Sequence, residues 1–184
     1  MTFNYPHTID NGSGEEITFV RLVRDKEGEW LEIRNRVSPG AGPPLHVHHL
    51  QDESLTVVQG NIGTHIEGHE PVFYGPGQTA LFKRGEVHRF WNAGTDLLIC
   101  EGWAKPACNL EYFLTEIYKS VKANGGEKPG EFDGAWLLTK YKTEFDMLGI
   151  PAFVKKVIFP AVLFFGKMKG KHRKFDGAPE AFKS

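Results

Sequence analysis

The stretch of sequence that decides the fold, residues 40–60, reads GAGPPLHVHHLQDESLTVVQG. Six of the eight histidines of the chain lie between His46 and His88, more than random scatter would place there. Because side chains two positions apart point the same way on an extended strand, His46 and His48 are predicted to share one face. His49 is predicted to face away from them, in an exposed position or at an interface.

Two further polar residues alternate with apolar ones. Glu53 shares a strand face with Leu55, and His88 shares one with Phe90 and Asn92. Three imidazoles and a carboxylate that converge inside a low-dielectric core are costly to bury unless a partner satisfies them, and a divalent metal is such a partner. Phe90 is the best aromatic candidate to line a cavity above the metal. We expect Asn92 to be structural, with a hydrogen bond to a ligand as the alternative.

The chain around this cluster reads as short β-strands separated by turns that contain Gly or Pro. The predicted strands are Ile17–Val23, Trp30–Val37, Ser54–Gln59, Ile62–Ile66, Pro71–Tyr74, Gln78–Phe82, Val87–Trp91 and Leu97–Trp103. Strands of this length at this spacing predict a mainly β protein, an antiparallel barrel or sandwich. Other polar residues near the cluster are interpreted as loop or surface residues rather than ligands: Gln51, Asp52, His65 and His69.

After Pro106 the apolar residues recur at helical spacing. Helices are predicted over 110–123, 132–141 and 150–169, with a kink at Pro160 in the last one. We therefore expect a β-barrel domain over residues 1–104 and a C-terminal helical extension over residues 105–184.

The last predicted helix is apolar on several sides and lies in a basic segment. Residues 155–184 contain eight Lys or Arg and two acidic residues, a net charge of +6. We expect this helix to pack on its own barrel or on a dimer partner. Contact of the basic helix with a membrane surface is the first alternative, and contact with nucleic acid is the second.

Composition narrows the class of protein. The whole chain has 22 Lys and Arg against 23 Asp and Glu, which argues against a dedicated nucleic-acid binder. Cys100 and Cys108 cannot build a disulfide framework. Residues 1–10 lack a basic region followed by an apolar run, and the longest apolar stretch contains lysines. These features predict a soluble cytoplasmic protein without a leader or a spanning helix.

The spacing of residues 40–60 resembles the first sequence motif of the cupin superfamily at every fixed position. Its fixed residues are Gly40, His46, His48, Glu53 and Gly60, separated by five, one, four and six residues. The second cupin motif is matched by Gly77, Gly85, His88 and Asn92, whereas Lys83 stands where that motif has a proline. In the family this proline shapes a turn, so its replacement concerns the turn and not the metal.

The resemblance implies the cupin fold, a double-stranded β-helix or jelly-roll barrel, with a divalent metal bound by His46, His48, Glu53 and His88. Iron and manganese suit three imidazoles and a carboxylate, and nickel, copper and zinc remain open. We expect one transition metal per chain. No catalytic residue can be named beyond these ligands, although Glu53 could detach from the metal and act as a general base.

The helical tail is similar in layout to that of small quercetin dioxygenase-like cupins. This implies a metal-dependent oxygenase that acts on a small organic substrate. An isomerase that uses the same metal and a non-catalytic cupin that binds a sugar or other small ligand are the alternatives. We also expect a homodimer, because pairing would cover edge strands and the apolar tail.

Overall fold

The computed structural model of the chain describes residues 3–26 and 28–183. Within this part of the chain, eleven strands form two antiparallel sheets. The strands are β1 (His7–Asp10), β2 (Glu15–Asp25), β3 (Gly28–Val37), β4 (His46–His48), β5 (Asp52–Gln59), β6 (Ile62–Ile66), β7 (Val72–Tyr74), β8 (Thr79–Phe82), β9 (Val87–Asn92), β10 (Leu98–Lys105) and β11 (Phe145–Met147). The mainly β architecture predicted from the sequence is confirmed.

The two sheets enclose one apolar core. The first sheet has the strand order β1-β2-β3-β10-β5-β8, and the second has the order β11-β4-β9-β6-β7. Their apolar side chains join a single buried cluster, to which Phe19 and Leu55 contribute from the first sheet and Phe90 from the second. This is the predicted jelly-roll arrangement, and across the described strands the two sheets stay separate rather than closing into one hydrogen-bonded barrel.

Three α-helices follow the strands, as predicted: α1 (Leu110–Ala123), α2 (Glu131–Lys140) and α3 (Phe159–Met168). A π-helical turn at Val154–Ile158 precedes α3. Pro160 follows this turn and has no N–H to donate, so the wider turn lies where regular helical hydrogen bonding is interrupted. No helix within the described residues is both long and apolar enough to cross a membrane.

Two short strands, β1 and β11, were not predicted from the sequence because they are too short to show a period of two. β11 pairs with β4, so that Phe145 lies opposite His48 and Met147 lies opposite His46. The helical extension therefore adds a strand to the second sheet, directly beside the histidine pair. The division of the chain at residue 104 stays a prediction.

The first turn of helix α1 is held in place by residues from distant parts of the chain. Glu111 accepts a hydrogen bond from the Tyr5 hydroxyl at 2.6 Å, and its other carboxylate oxygen lies 2.8 Å from Nδ1 of His7. At the start of the helix, the buried carboxylate of Glu144 accepts hydrogen bonds from the backbone N–H and the side-chain amide of Asn109. These contacts fix the apolar side of α1 over the space between the sheets.

Helix α3 packs on α2 instead of on the sheets. Gly166 is the buried residue of α3, and a Cβ atom at this position would overlap the Phe132 ring of α2. Val162 and Leu163 are partly buried beside it. The remaining sides of α3 are largely exposed, and burial of this helix against a dimer partner stays a prediction.

Candidate metal centre

Four side chains from three strands converge between the two sheets. His46 and His48 lie on β4, His88 lies opposite His46 on β9, and Glu53 reaches them from β5 of the first sheet. One nitrogen or oxygen atom from each of the four residues lies within 4.8 Å of the others. The ring centroids of the three histidines are 4.5 to 5.5 Å apart. The structure thus brings together all four residues that the sequence singled out.

Aromatic neighbours fix the orientation of two of these imidazoles. The Phe82 ring stacks on His88 with a centroid distance of 4.1 Å and an interplanar angle of 10°. Phe145 of β11 packs edge-on against His48 at 5.5 Å, and Phe113 of α1 stacks on Phe145 at 4.6 Å. The extension therefore supports the histidine cluster through Phe113 and Phe145.

Backbone carbonyl groups set the tautomer of two of the histidines. Nδ1 of His46 lies 2.8 Å from the carbonyl oxygen of Pro44, and Nδ1 of His88 lies 2.9 Å from that of Glu86. A carbonyl oxygen can only accept, so each Nδ1 carries the proton and donates it. In the neutral imidazole this leaves a lone pair on Nε2, which is the arrangement found in metal-binding histidines.

The buried carboxylate of Glu53 lies beside the ring of His88 and needs a positive charge close to it. Nε2 of His88 and Oε2 of Glu53 are 3.3 Å apart in a buried position. Burial acts to lower the pKa of His88, but the hydrogen bond and the charge of Glu53 outweigh burial and raise it. Burial acts to raise the pKa of Glu53, but His88 and the other two histidines lower it to about 2. A proton on His88 or a bound cation meets this need.

The other two imidazoles are held neutral. Burial, together with the neighbouring histidines, lowers the pKa of His46 to about 3. Burial lowers the pKa of His48 to about 4, although the charge of Glu53 acts in the opposite direction. Nδ1 of His48 is buried and has no hydrogen-bond partner. Neutral imidazoles and an ionised carboxylate are the protonation states that a divalent metal requires of its ligands.

Three residues of the cluster, His46, His48 and Glu53, form part of the wall of a cavity of about 360 Å³ between the sheets and the helical extension. Most of the lining is apolar. The apolar lining from the strands includes Ile17, Phe19, Ile33, Phe90, Phe145 and Met147, and α1 adds Leu110, Phe113, Leu114, Ile117 and Val121. The prediction that Phe90 lines the cavity is confirmed. The sequence analysis did not foresee that α1 forms one wall, because helical spacing does not reveal what the apolar side covers.

Three polar residues in the same cavity were also missed: Glu15, Asn35 and Tyr118. Burial raises the pKa of Glu15 to about 7, with a smaller contribution from the charge of Glu53, although a hydrogen bond from Tyr118 acts to lower it. Asn35 is 2% exposed, and its Oδ1 atom has no hydrogen-bond partner. The only sequence signal was that Glu15 begins the alternation of β2 and that Asn35 interrupts the apolar positions of β3.

The residues beside the ligands have structural partners, and Asp52, which was predicted to lie in a loop, is the first residue of β5. The Asp52 carboxylate accepts hydrogen bonds from the backbone and guanidinium groups of Arg84 at 2.9 to 3.0 Å. Gln51 is buried, and its amide donates to the carbonyl oxygen of Ala107 at 3.4 Å. The backbone N–H of Lys83 donates to the Glu86 carboxylate at 2.7 Å, a bond that a proline in this position would lack.

Three other histidines and Asn92 also lie outside the cluster. His49 and His69 are exposed, and His65 is half-buried on β6. The side-chain amide of Asn92 donates to the carbonyl oxygens of Val37 at 2.8 Å and Asp96 at 2.7 Å. Asn92 therefore holds the ends of neighbouring strands together, as its structural interpretation predicts.

Comparison with known proteins gives one family match. A family profile described as "cupin domain" matches residues 34–100, which include the four clustered residues. An "oxidoreductase iacF" of Pestalotiopsis fici is 33% identical over 111 residues, which cover 55% of this chain and 54% of that protein. A "probable oxidoreductase virH" of Hypocrea virens is 26% identical over 106 residues, which cover 51% and 47%. The chain spans about half the length of these relatives.

Solved structures with a similar arrangement of strands include a predicted oxalate decarboxylase from Thermotoga maritima. The two proteins are 26% identical, and the alignment covers 54% of this chain and 90% of that one, with a TM-score of 0.43.

Proposed function

Because residues 34–100 form a cupin domain, which makes the chain a member of the cupin superfamily, we propose that it is a metal-dependent oxygenase for a small, largely apolar organic molecule. The observation that supports this proposal most is a cluster of three imidazoles and a carboxylate, of which His46, His48 and Glu53 line a mainly apolar cavity. The names of the two oxidoreductase relatives agree with it.

The metal would be held by His46, His48, Glu53 and His88, whose protonation states fit it as described above. When bound, a divalent metal such as iron supplies a Lewis-acidic, redox-active centre to which dioxygen and a substrate oxygen atom can be brought.

The cavity walls bind and orient the substrate. Apolar side chains from both sheets and from α1 exclude water and hold an apolar ring or chain by burial. Phe90 shares its strand face with His88 and is positioned to hold the substrate beside the cluster. A cavity of this size fits one small molecule, which favours an aromatic or similarly compact substrate over a polymer.

Glu15 is the residue best suited to move a proton. A group whose pKa lies near the working pH is the most effective general base, and the pKa of Glu15 is about 7. The pKa of Glu53 is about 2, which makes Glu53 the weaker base of the two. In this proposal an oxygen atom of Glu15 accepts a proton from a substrate hydroxyl, and Asn35 Oδ1 is a second acceptor for a substrate donor.

Oxygen uptake tests the proposal. The full chain, loaded with iron(II) in the absence of air, is expected to consume dioxygen when a catechol or a flavonol is added as the probe. The His48→Ala variant is expected to be at least about 100-fold slower, because disturbing even the outer partners of a metal ligand costs about 10- to 100-fold. The matched control is His49→Ala, which removes the neighbouring exposed histidine and is expected to retain the wild-type rate.

The same experiment distinguishes the oxygenase from the non-catalytic alternative. Saturable binding of the probe without dioxygen consumption, under iron, manganese and nickel loading in turn, would contradict the oxygenase and favour a ligand-binding cupin.

A further inference from the structure

Helix α3 and the turn before it carry an exposed apolar face. Phe164, Phe165 and Met168 are 62%, 60% and 72% exposed, respectively. The other large apolar side chains of this face are Phe153, Val157 and Ile158. Scattered exposed apolar residues are ordinary on proteins, but six large ones within a single helical segment indicate an interaction surface.

Helical spacing within α3 separates the exposed residues from the packed ones. Phe164 and Met168 are four residues apart and therefore lie on the same face of α3, and the exposed Phe153, Val157 and Ile158 precede them in and beside the π-helical turn. The opposite side contains Gly166, which packs on Phe132, and the partly buried Leu163. The chain therefore uses one side of the helix for its own packing and leaves an equally apolar side without a partner in the monomer.

Basic side chains border this exposed apolar face. Lys156 and Lys167 are exposed in the same helical segment, and Lys169 and Lys171 are exposed directly after α3. Residues 155–184 carry a net charge of +6. An apolar face bordered by lysines is the pattern of a helix that lies in the plane of a membrane surface, with its lysines on anionic headgroups.

A second copy of the chain is a poorer occupant for this face. In a two-fold symmetric dimer the same patch meets itself, so the lysines along its margins would approach lysines of equal charge. An anionic lipid surface instead provides opposite charge for the lysines and an apolar boundary for the phenylalanines.

We propose that residues 152–171 form an in-plane anchor that binds the chain to an anionic lipid surface. The anchor begins close to the cavity, because Ile150 and Met147 line the cavity and Ile150 lies two residues before the helix. Docking through the anchor would bring the cavity close to the bilayer, where apolar molecules partition. The proposed binding of this anchor to lipid does not depend on the proposed oxygenase activity.

Vesicle flotation of the full chain tests the anchor. The chain is expected to float with vesicles made of equal parts phosphatidylcholine and phosphatidylglycerol. It is expected to bind vesicles of phosphatidylcholine alone at least 10-fold more weakly, because each basic residue near an anionic surface contributes about 5-fold in affinity. Binding to the mixed vesicles is expected to weaken as the salt concentration rises, because salt screens the lysines.

Two double variants separate the apolar and the basic contributions. Phe164→Ser with Phe165→Ser is expected to abolish flotation, and Lys167→Gln with Lys169→Gln is expected to weaken binding to mixed vesicles about 25-fold. The matched controls are Phe73→Ser, an equally exposed phenylalanine on β7, and Lys119→Gln, an exposed lysine on α1. Both controls are expected to float like the wild type. Circular dichroism checks that each variant is folded.

Sedimentation of the same proteins without lipid completes the test. A monomer that floats with mixed vesicles supports the anchor. The proposal is overturned by absence of flotation, by equal binding to both kinds of vesicle, or by a dimer that fails to float and that the phenylalanine variant dissociates. The last result would assign the exposed apolar face to a second copy of the chain.

Discussion

Addition of a divalent metal is expected to stabilise the wild-type chain against unfolding by about 4 kcal/mol when the free metal is about a thousandfold above its dissociation constant. The effect arises because the four ligands are gathered in the folded chain and scattered in the unfolded one. The measurement is denaturant unfolding of metal-stripped protein, with and without iron(II), manganese or nickel.

Two variants test whether the stabilising metal binds at the four-residue cluster. The His48→Ala chain is expected to gain little from the metal, and the His49→Ala chain is expected to gain as much as the wild type, because His49 is exposed and is not one of the four clustered residues. Equal stabilisation of His48→Ala and wild type would place the metal elsewhere in the chain.

Raising the pH from about 4.5 to about 7 is expected to cost the wild-type chain about 3 kcal/mol of stability relative to the Glu15→Gln variant. The pKa of Glu15 is about 7 in the folded chain, against an ordinary value of 4.5. The folded state therefore holds the proton more strongly than the unfolded state does. The stability that this proton contributes is fully present below pH 4.5 and is lost as the pH rises through 7. Denaturant unfolding at a series of pH values measures it.

Glu16→Gln is the matched control for this prediction. Glu16 is the next residue along β2, and its half-exposed carboxylate lies 3.4 Å from Arg36. This variant is expected to keep the pH dependence of the wild type. If the stability of Glu15→Gln and of the wild type changed in parallel with pH, Glu15 would have an ordinary pKa and the proposed role as a proton acceptor would fail.

The ligand cluster could be predicted from the sequence because it depends on local pattern. Alternation along β4 and β9 places His46, His48 and His88 on inner faces, and the strand that begins near Glu53 shows the same alternation. The spacing of the histidines and the glutamate also matches two short cupin motifs, and the resemblance to that family implies that these residues are the metal ligands. Such information lies within a few residues of each ligand and does not require knowledge of the tertiary arrangement.

The shape and polarity of the cavity could not be predicted in this way. Its walls include α1 and β11, which follow the ligands by many residues and reach the cavity only through tertiary packing. In the sequence, Glu15 resembles any other residue at the start of a strand. Its raised pKa follows from its burial under α1, next to Tyr118. Helical periodicity predicted α3 correctly, but it did not indicate that one side would face solvent.

Metal content is the measurement that tests the central claim most directly. Elemental analysis of the purified full chain, beside His48→Ala and His49→Ala prepared in the same way, is expected to find about one divalent transition metal per chain in the wild type and in His49→Ala, and almost none in His48→Ala. Absence of metal from the wild type after reconstitution with iron(II), manganese and nickel, or full metal content in His48→Ala, would contradict a metal centre built from His46, His48, Glu53 and His88.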